Sequence, residues 1–377
     1  MAYPPNFAPV EASPQTQTPT LSEELLNQYR NNPAALELAA HLKQEIGQRA
    51  CIQHAPGSLR AYWSATLFHH SPQHLLLVAE DRESAQYLNS DLQQMLGSDL
   101  VWLFPASSKS VYQQEAVENA NVLQRSEVLS QLNQSQGERL LIVTYPEALY
   151  EKVVDHKTLV KNTLHIKAGD QLDPDFVEEV LEDYGFEYVD FVYEPGQYAI
   201  RGGIVDVFSF AYDQPYRIQF KDEEVETIRV FQPDSQLSQR TTTQLSIMPN
   251  LQSQTEDTQR ISLFEFLPNT TLLVFQNLSL AQEELGRLEQ RANSAWDLIQ
   301  EESGGQTQQA PPETLYLFAD DFWKQVQQFS TVEFATKPKL KVGHTLNAGG
   351  KPQAVFQKDF GMLNKHLLEQ QEAGYRL

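Results

Sequence analysis

Cysteine is nearly absent from the 377 residues, with Cys51 standing alone. That excludes an internal disulfide and any cysteine-cluster metal site. Cys51 lies in a short apolar stretch, so it is expected to pack as a small hydrophobe and not to act as a nucleophile. No apolar run approaches the length needed to cross a bilayer. The amino terminus also lacks the basic-then-apolar pattern of a secretion signal. Residues 1–20, rich in Pro, Gln, Thr and Ser, are expected to form a disordered tail. These absences point to a soluble, cytoplasmic protein without a membrane partner. Basic charge is scarce as well: 28 Lys and Arg face 50 Asp and Glu, a formal net charge of −22. A surface that neutralises phosphates needs clustered cations, and the field of this chain repels DNA. The balance favours a protein or a small molecule as partner.

What is present reads as three segments. A hydrophobic content of 41% in a chain of this length suits two or three domains. Residues 21–163 alternate helix and strand. His74–Ala79, Leu100–Phe104 and Leu140–Thr144 are continuous apolar runs separated by helical spacing, the signature of βαβ units around a parallel sheet. Residues 164–248 change texture. Asp173-Pro174 opens a helix whose apolar face is Phe176, Val177, Val180, Leu181 and Tyr184, and Gly185 closes it. Strands then follow over Tyr188–Tyr193, Ile204–Phe210, Tyr216–Phe220 and Val225–Phe231, separated by turns, which predicts a small antiparallel sheet with one covering helix. From residue 249 to 377 the βα texture returns, with strands expected at Leu272–Phe275 and Leu315–Ala319 and helices at Leu278–Leu298 and Phe360–Gln371. Ser303–Pro312 reads as a loop. The chain ends at Leu377 where another strand could begin, so truncation of a larger parent is expected. The fold class is α/β: a parallel-sheet domain in two halves, interrupted by a small α+β domain.

Tyr193–Gln236 reads YEPGQYAIRGGIVDVFSFAYDQPYRIQFKDEEVETIRVFQPDSQ. It resembles, in order and spacing, the signature of the domain shared by UvrB and the bacterial transcription-repair coupling factors (Mfd): GxYxxRGGxxDxF, then PYRxxFxxDEVExIRxFxxxxQ. The flanking segments fit more loosely. The resemblance implies a degenerate RecA-like domain around an inserted UvrA-binding domain. It also implies that Arg201 and Arg217 contact UvrA, with Gly202, Gly203, Asp206 and Phe220 in the same patch. The position after Phe220 is often aromatic or glycine in relatives and is Lys221 here. On the residues alone, the two arginines could instead pair with sheet carboxylates such as Asp206 or Glu226. Asp206, inside an apolar strand, must face solvent or receive donors. Between residues 164 and 248, 6 Lys and Arg stand against 17 Asp and Glu, a balance of −11, so a few arginines form a localised positive site.

UvrB is an ATPase, so the competing expectation is a divergent UvrB-like ATPase that binds damaged DNA. Such chemistry needs a P-loop and acidic residues for Mg²⁺. The corresponding loop, His54–Trp63, offers Gly57, Ser58 and Arg60 but no Gly-Lys-Ser/Thr. Gly350-Lys351 is followed by Pro352 and reads as a turn. The strand of the second motif ends in Gln276-Asn277, where the family pattern has Asp-Glu, and neutral amides cannot replace a carboxylate. Asp320-Asp321 reads as a helix N-cap. His69, His70 and His74 cluster without a carboxylate-rich partner segment, so no metal site is expected. The expectation is therefore a non-catalytic chain with no cofactor and no catalytic residue. ATP and Mg are expected only on translocase domains of the parent, together with RNA polymerase and duplex DNA as its partners. The resemblance also implies that a carboxy-terminal domain of the parent masks the UvrA face.

Overall fold

The computed structural model describes residues 21–107, 112, 119–134, 138–249, 259–304, 307, 309–352 and 356–374. The amino-terminal tail, part of the 303–312 loop and the last three residues lie outside them. The first segment runs α1 (Leu21–Arg30), α2 (Pro33–Leu42), β1 (Arg49–Gln53), α3 (Leu59–His70), β2 (Leu75–Val78), α4 (Arg82–Leu96) and β3 (Val101–Leu103). It continues through α5 (Asn119–Gln134), β4 (Leu141–Thr144), α6 (Pro146–Tyr150), β5 (Val153–Val154) and α7 (His156–Lys161). The middle segment contains β6 (Leu164–Lys167), α8 (Pro174–Asp183), β7 (Glu187–Tyr188), β8 (Gln197–Arg201), β9 (Ile204–Val207), β10 (Tyr216–Lys221), β11 (Glu224–Phe231), β12 (Ser238–Thr242) and β13 (Gln244–Ile247). The last contains β14 (Arg260–Ile261), α9 (Leu263–Phe266), β15 (Leu272–Phe275), α10 (Leu278–Ser303), α11 (Pro312–Leu315), α12 (Ala319–Val326), β16 (Ser330–Phe334), β17 (His344–Asn347) and α13 (Phe360–Glu372).

Seven strands form one parallel sheet in the order β17-β1-β16-β15-β2-β4-β3. Strands β15 and β16, from the last segment, sit between β1 and β2 of the first. The two halves are therefore one sheet, and neither could close its core alone. The central strands β2, β4 and β15 are buried at every position. This explains their unbroken Leu, Ile and Val runs, because helices cover both faces of a parallel sheet. Each such side chain contributes roughly 1.5–3 kcal/mol on burial. Cys51 lies buried in β1, its thiol donating to the Ala335 carbonyl at 3.0 Å. Burial pushes its pKa up, as expected of a structural thiol. No helix among the described residues is long and apolar enough to cross a membrane.

The middle segment folds as a six-stranded sheet, β12-β11-β10-β9-β8-β7. It is antiparallel except at its edge, where β7 pairs with β8 in parallel. Val177 and Leu181 of α8 pack on one face, against Tyr198, Val205, Ile218 and Ile228. A smaller cluster, Val192, Ala199, Phe208 and Phe231, covers part of the other face. Strand β6 pairs with β13 and brings the two ends of the segment together. Val122 of α5 enters the core of this sheet, so the interrupted domain and its insert share apolar contact. Glu127 of the same helix is pushed up to about 7 by burial, and then by the negative charge of Asp213.

Several expectations are corrected. Phe176 is exposed, because it lies in the first turn of α8 on the side away from the sheet. Tyr188–Tyr193 is a strand only at its first residue, in β7. Leu315–Ala319 is not a strand of the large sheet: Pro312 starts a short helical turn, and α12 begins at Ala319. Asp320 and Asp321 sit inside the first turn of α12, where carboxylates favour the positive end of the helix, and Phe318 holds the N-cap position. The strand that the large sheet takes from this region is β16, whose Glu333 is buried and accepts the Lys339 and Leu340 backbone N–H groups.

Candidate functional site

The resembling motif becomes a hairpin and its neighbouring strand. Arg201 and Ile204 are paired, so Gly202 and Gly203 form a two-residue loop between β8 and β9. Gly202 has φ +59°, the positive value such loops require. At Gly203 a Cβ would lie 3.0 Å from the Phe220 carbonyl oxygen. The Phe220 N–H in turn donates to the Gly203 carbonyl at 2.7 Å, so both glycines answer backbone demands.

Strand pairing places Ala199, Asp206, Arg217, Arg229 and Thr241 in one row across β8 to β12. Asp206 is 1% exposed. Arg217 grips it with two bonds, Nε to Oδ1 at 2.7 Å and Nη2 to Oδ2 at 2.8 Å. Arg201 adds a third, Nη2 to Oδ2 at 3.1 Å. Hydrogen bonding to Asp206 raises the Arg217 pKa above its ordinary value. The remaining Arg217 donor reaches the Gln236 carbonyl at 3.3 Å, and its guanidinium lies over the Phe231 ring. Arg201 stacks over the Phe191 ring at 4.9 Å. A buried carboxylate with fewer donors would be costly, so this pairing fixes both arginines on one face of the sheet.

Of the residues expected at this site, Arg201, Asp206 and Arg217 come together. Both arginines do pair with a sheet carboxylate, Asp206, while Glu226 instead accepts from Gln219. Arg201 remains 45% exposed and Arg217 22%. Phe220 points the other way: it is 7% exposed and belongs to the core under α8, with Tyr216 and Ile218. It cannot offer contact area without opening that core. Lys221 is exposed at the end of β10. The motif did not single out the exposed aromatics of the preceding segment, Tyr188, Phe191 and Tyr193, of which Phe191 lies under the Arg201 guanidinium while Tyr188 packs on Tyr198. Their signal was the density of aromatics in a segment wrongly read as a continuous strand.

The loop expected at the position of a P-loop joins β1 to α3 at the carboxyl ends of the parallel strands, where such sheets usually bind ligands. Gly57 turns the loop with φ +57°, and Ser58 precedes α3 without making a side-chain cap bond. Arg60 is occupied, donating to Glu80 at 3.0 Å and to the Ala55 carbonyl at 3.3 Å. The chain itself packs against the loop. The Gly350 N–H donates to the His54 carbonyl at 2.8 Å, and a Cβ on Gly350 would meet both His54 O and Pro56 Cδ at 2.7 Å. A cleft of about 220 Å³ remains beside it. Gln276 accepts the Glu80 N–H at 3.2 Å, and Asn277 caps α10 by accepting the Leu280 N–H at 3.0 Å. Around this cleft Glu80 is held by Arg60, and both amides carry backbone bonds. Among the described residues no group of three His, Cys, Asp or Glu side chains is placed to hold a metal.

Residues 164–252 match the family described as the UvrB interaction domain. The chain is 29% identical over 194 residues to the transcription-repair-coupling factor of Bacillus subtilis, an alignment covering 51% of this chain and 16% of that protein. The Escherichia coli factor is 27% identical over 213 residues, covering 55% and 18%. The Haemophilus influenzae factor is 30% identical over 183 residues, covering 48% and 16%. The chain thus spans less than a fifth of the length of these relatives. Over about half of its own length the chain is similar to the transcription-repair-coupling factors, and its middle segment matches the UvrB interaction domain.

Proposed function

We propose that this chain is a non-catalytic docking module that recruits UvrA in transcription-coupled nucleotide excision repair. The observation that carries the reading is the Arg201–Asp206–Arg217 cluster, anchored through a buried carboxylate on the partly exposed face of a UvrB interaction domain. Three carboxylate bonds set the guanidinium positions before any partner arrives, which reduces the ordering cost of binding. The exposed Phe191 ring beside Arg201 supplies area at low entropic cost, the usual company of an interface arginine. The surrounding acidic surface confines the positive charge to this patch and disfavours nucleic acid as its direct ligand.

The parallel-sheet domain serves as a platform. Its loop at the nucleotide position is packed by Gly350, and Gln276 and Asn277 spend their amides on backbone groups. That supports a chain that takes no ATP or Mg²⁺. In a parent of the length of the relatives, ATP-driven translocation on duplex DNA and contact with RNA polymerase would belong to other domains. The whole would act in the cytoplasm, with a carboxy-terminal domain masking the UvrA face.

Size-exclusion chromatography of the chain mixed with UvrA, combined with a titration using a fluorescent ATP analogue, tests this reading. Co-elution without nucleotide binding is expected. Saturable nucleotide binding, or separate elution, contradicts it. If masking operates, the isolated chain binds UvrA more tightly than the full-length parent, and equal affinities rule the masking out.

A further inference from the structure

The row across the middle sheet holds two guanidiniums, Arg217 and Arg229, and one carboxylate, Asp206, which Arg201 reaches from the end of β8. Asp206 is fully engaged by Arg201 and Arg217. Arg229 stands directly opposite Arg217 in the β10–β11 register, with Thr241 on its other side. Among the described residues its side chain makes no hydrogen bond or ion pair, and the residue is only partly buried. Two like charges opposed across antiparallel strands destabilise the sheet, and this pair lacks a second carboxylate to relieve it. Folding therefore gains no direct ion pair from Arg229 among the described residues. It shares a face with Phe231, the ring under Arg217, because positions 229 and 231 alternate together along β11.

Resting on the docking reading above, we infer that Arg229 is a further partner-binding residue, which takes a carboxylate of the docking protein that Arg201 and Arg217 cannot take. Asp206 has already committed the inward donors of the other two arginines, so Arg229 brings a whole unused fork. A planar guanidinium with free donors matches an Asp or Glu bidentately. The excess positive charge in this row, inside a domain carrying −11, is complementary to an acidic patch on the partner.

The test is calorimetric titration of UvrA with wild-type chain, Arg229→Ala, Arg229→Lys and Arg201→Ala, each with a melting curve. Arg229→Ala is expected to weaken binding by about tenfold or more, Arg229→Lys by less, and the melting temperature of Arg229→Ala to stay level or rise. Stability and affinity then move apart, which a structural arginine would not permit. Wild-type affinity in Arg229→Ala, with Arg201→Ala weakened, overturns this inference and leaves the docking reading standing. A fall in melting temperature that accounts for the lost binding also overturns it. If wild type does not bind UvrA, the docking reading fails and this one falls with it.

Discussion

The carboxyl end of the parallel sheet and the open face of the middle sheet both carry polar residues on a rigid scaffold, yet they use them in opposite ways. At the first, Arg60, Gln276 and Asn277 direct their polar atoms at neighbouring protein groups, and Gly350 packs into the loop. At the second, one buried carboxylate holds two guanidiniums while leaving Arg201 nearly half exposed and Arg229 unengaged. A polar position thus becomes structural once its hydrogen-bonding capacity is spent inside the chain. A surface stays available for binding when an internal anchor fixes its side chains without hiding them.

The sharpest way to break this contrast is Arg217→Ala. It strips two bonds from a carboxylate that is 1% exposed, and about 3 kcal/mol of stability should be lost in chemical unfolding. A loss below about 0.5 kcal/mol would mean that Asp206 needs no anchor. Gly350→Ala probes the other region, since its Cβ must displace the His54 carbonyl and the Pro56 ring. It should cost about 2 kcal/mol by overpacking while leaving UvrA affinity unchanged. A shared loss of affinity would show that the two regions are coupled.

Glu127 lies on α5, the helix whose Val122 enters the core of the insert. Its folded pKa of about 7 lies above the ordinary 4.5, so the stability it contributes is complete below pH 4.5 and is lost as the pH rises through 7. Glu127→Gln should therefore gain about 3 kcal/mol at pH 8 and nothing in acid, as read from melts across pH. A pH-independent effect would contradict the buried-carboxyl account. The smallest stability change belongs to Arg201→Ala, below about 1 kcal/mol because the pair is half exposed on the arginine side.

Much of this was legible in the sequence. The runs at β2, β4 and β15 announced a buried parallel sheet, and Asp173-Pro174 with Gly185 bounded α8. The glycine pair and both arginines appeared where the motif put them. Edge and polar strands were invisible: β12 reads SQRTT and β17 HTLN, with no apolar alternation to mark them. β16 was hidden because Glu333 interrupts it, its carboxylate satisfied only by backbone donors that the fold brings near. Phe220 was assigned to the contact by motif, although the period-two pattern with Tyr216 and Ile218 already placed it inside. Arg229 lay within the quoted motif, but its freedom appears only when the register shows which carboxylate its neighbours hold.

The central claim is tested most directly by calorimetric titration of UvrA with the wild-type chain and with Arg201→Ala, a variant that keeps Arg217 on Asp206. The account predicts a saturable complex for wild type and an affinity at least about tenfold weaker for a variant that melts within a few degrees of it. Equal affinities, or no complex at all, would contradict it.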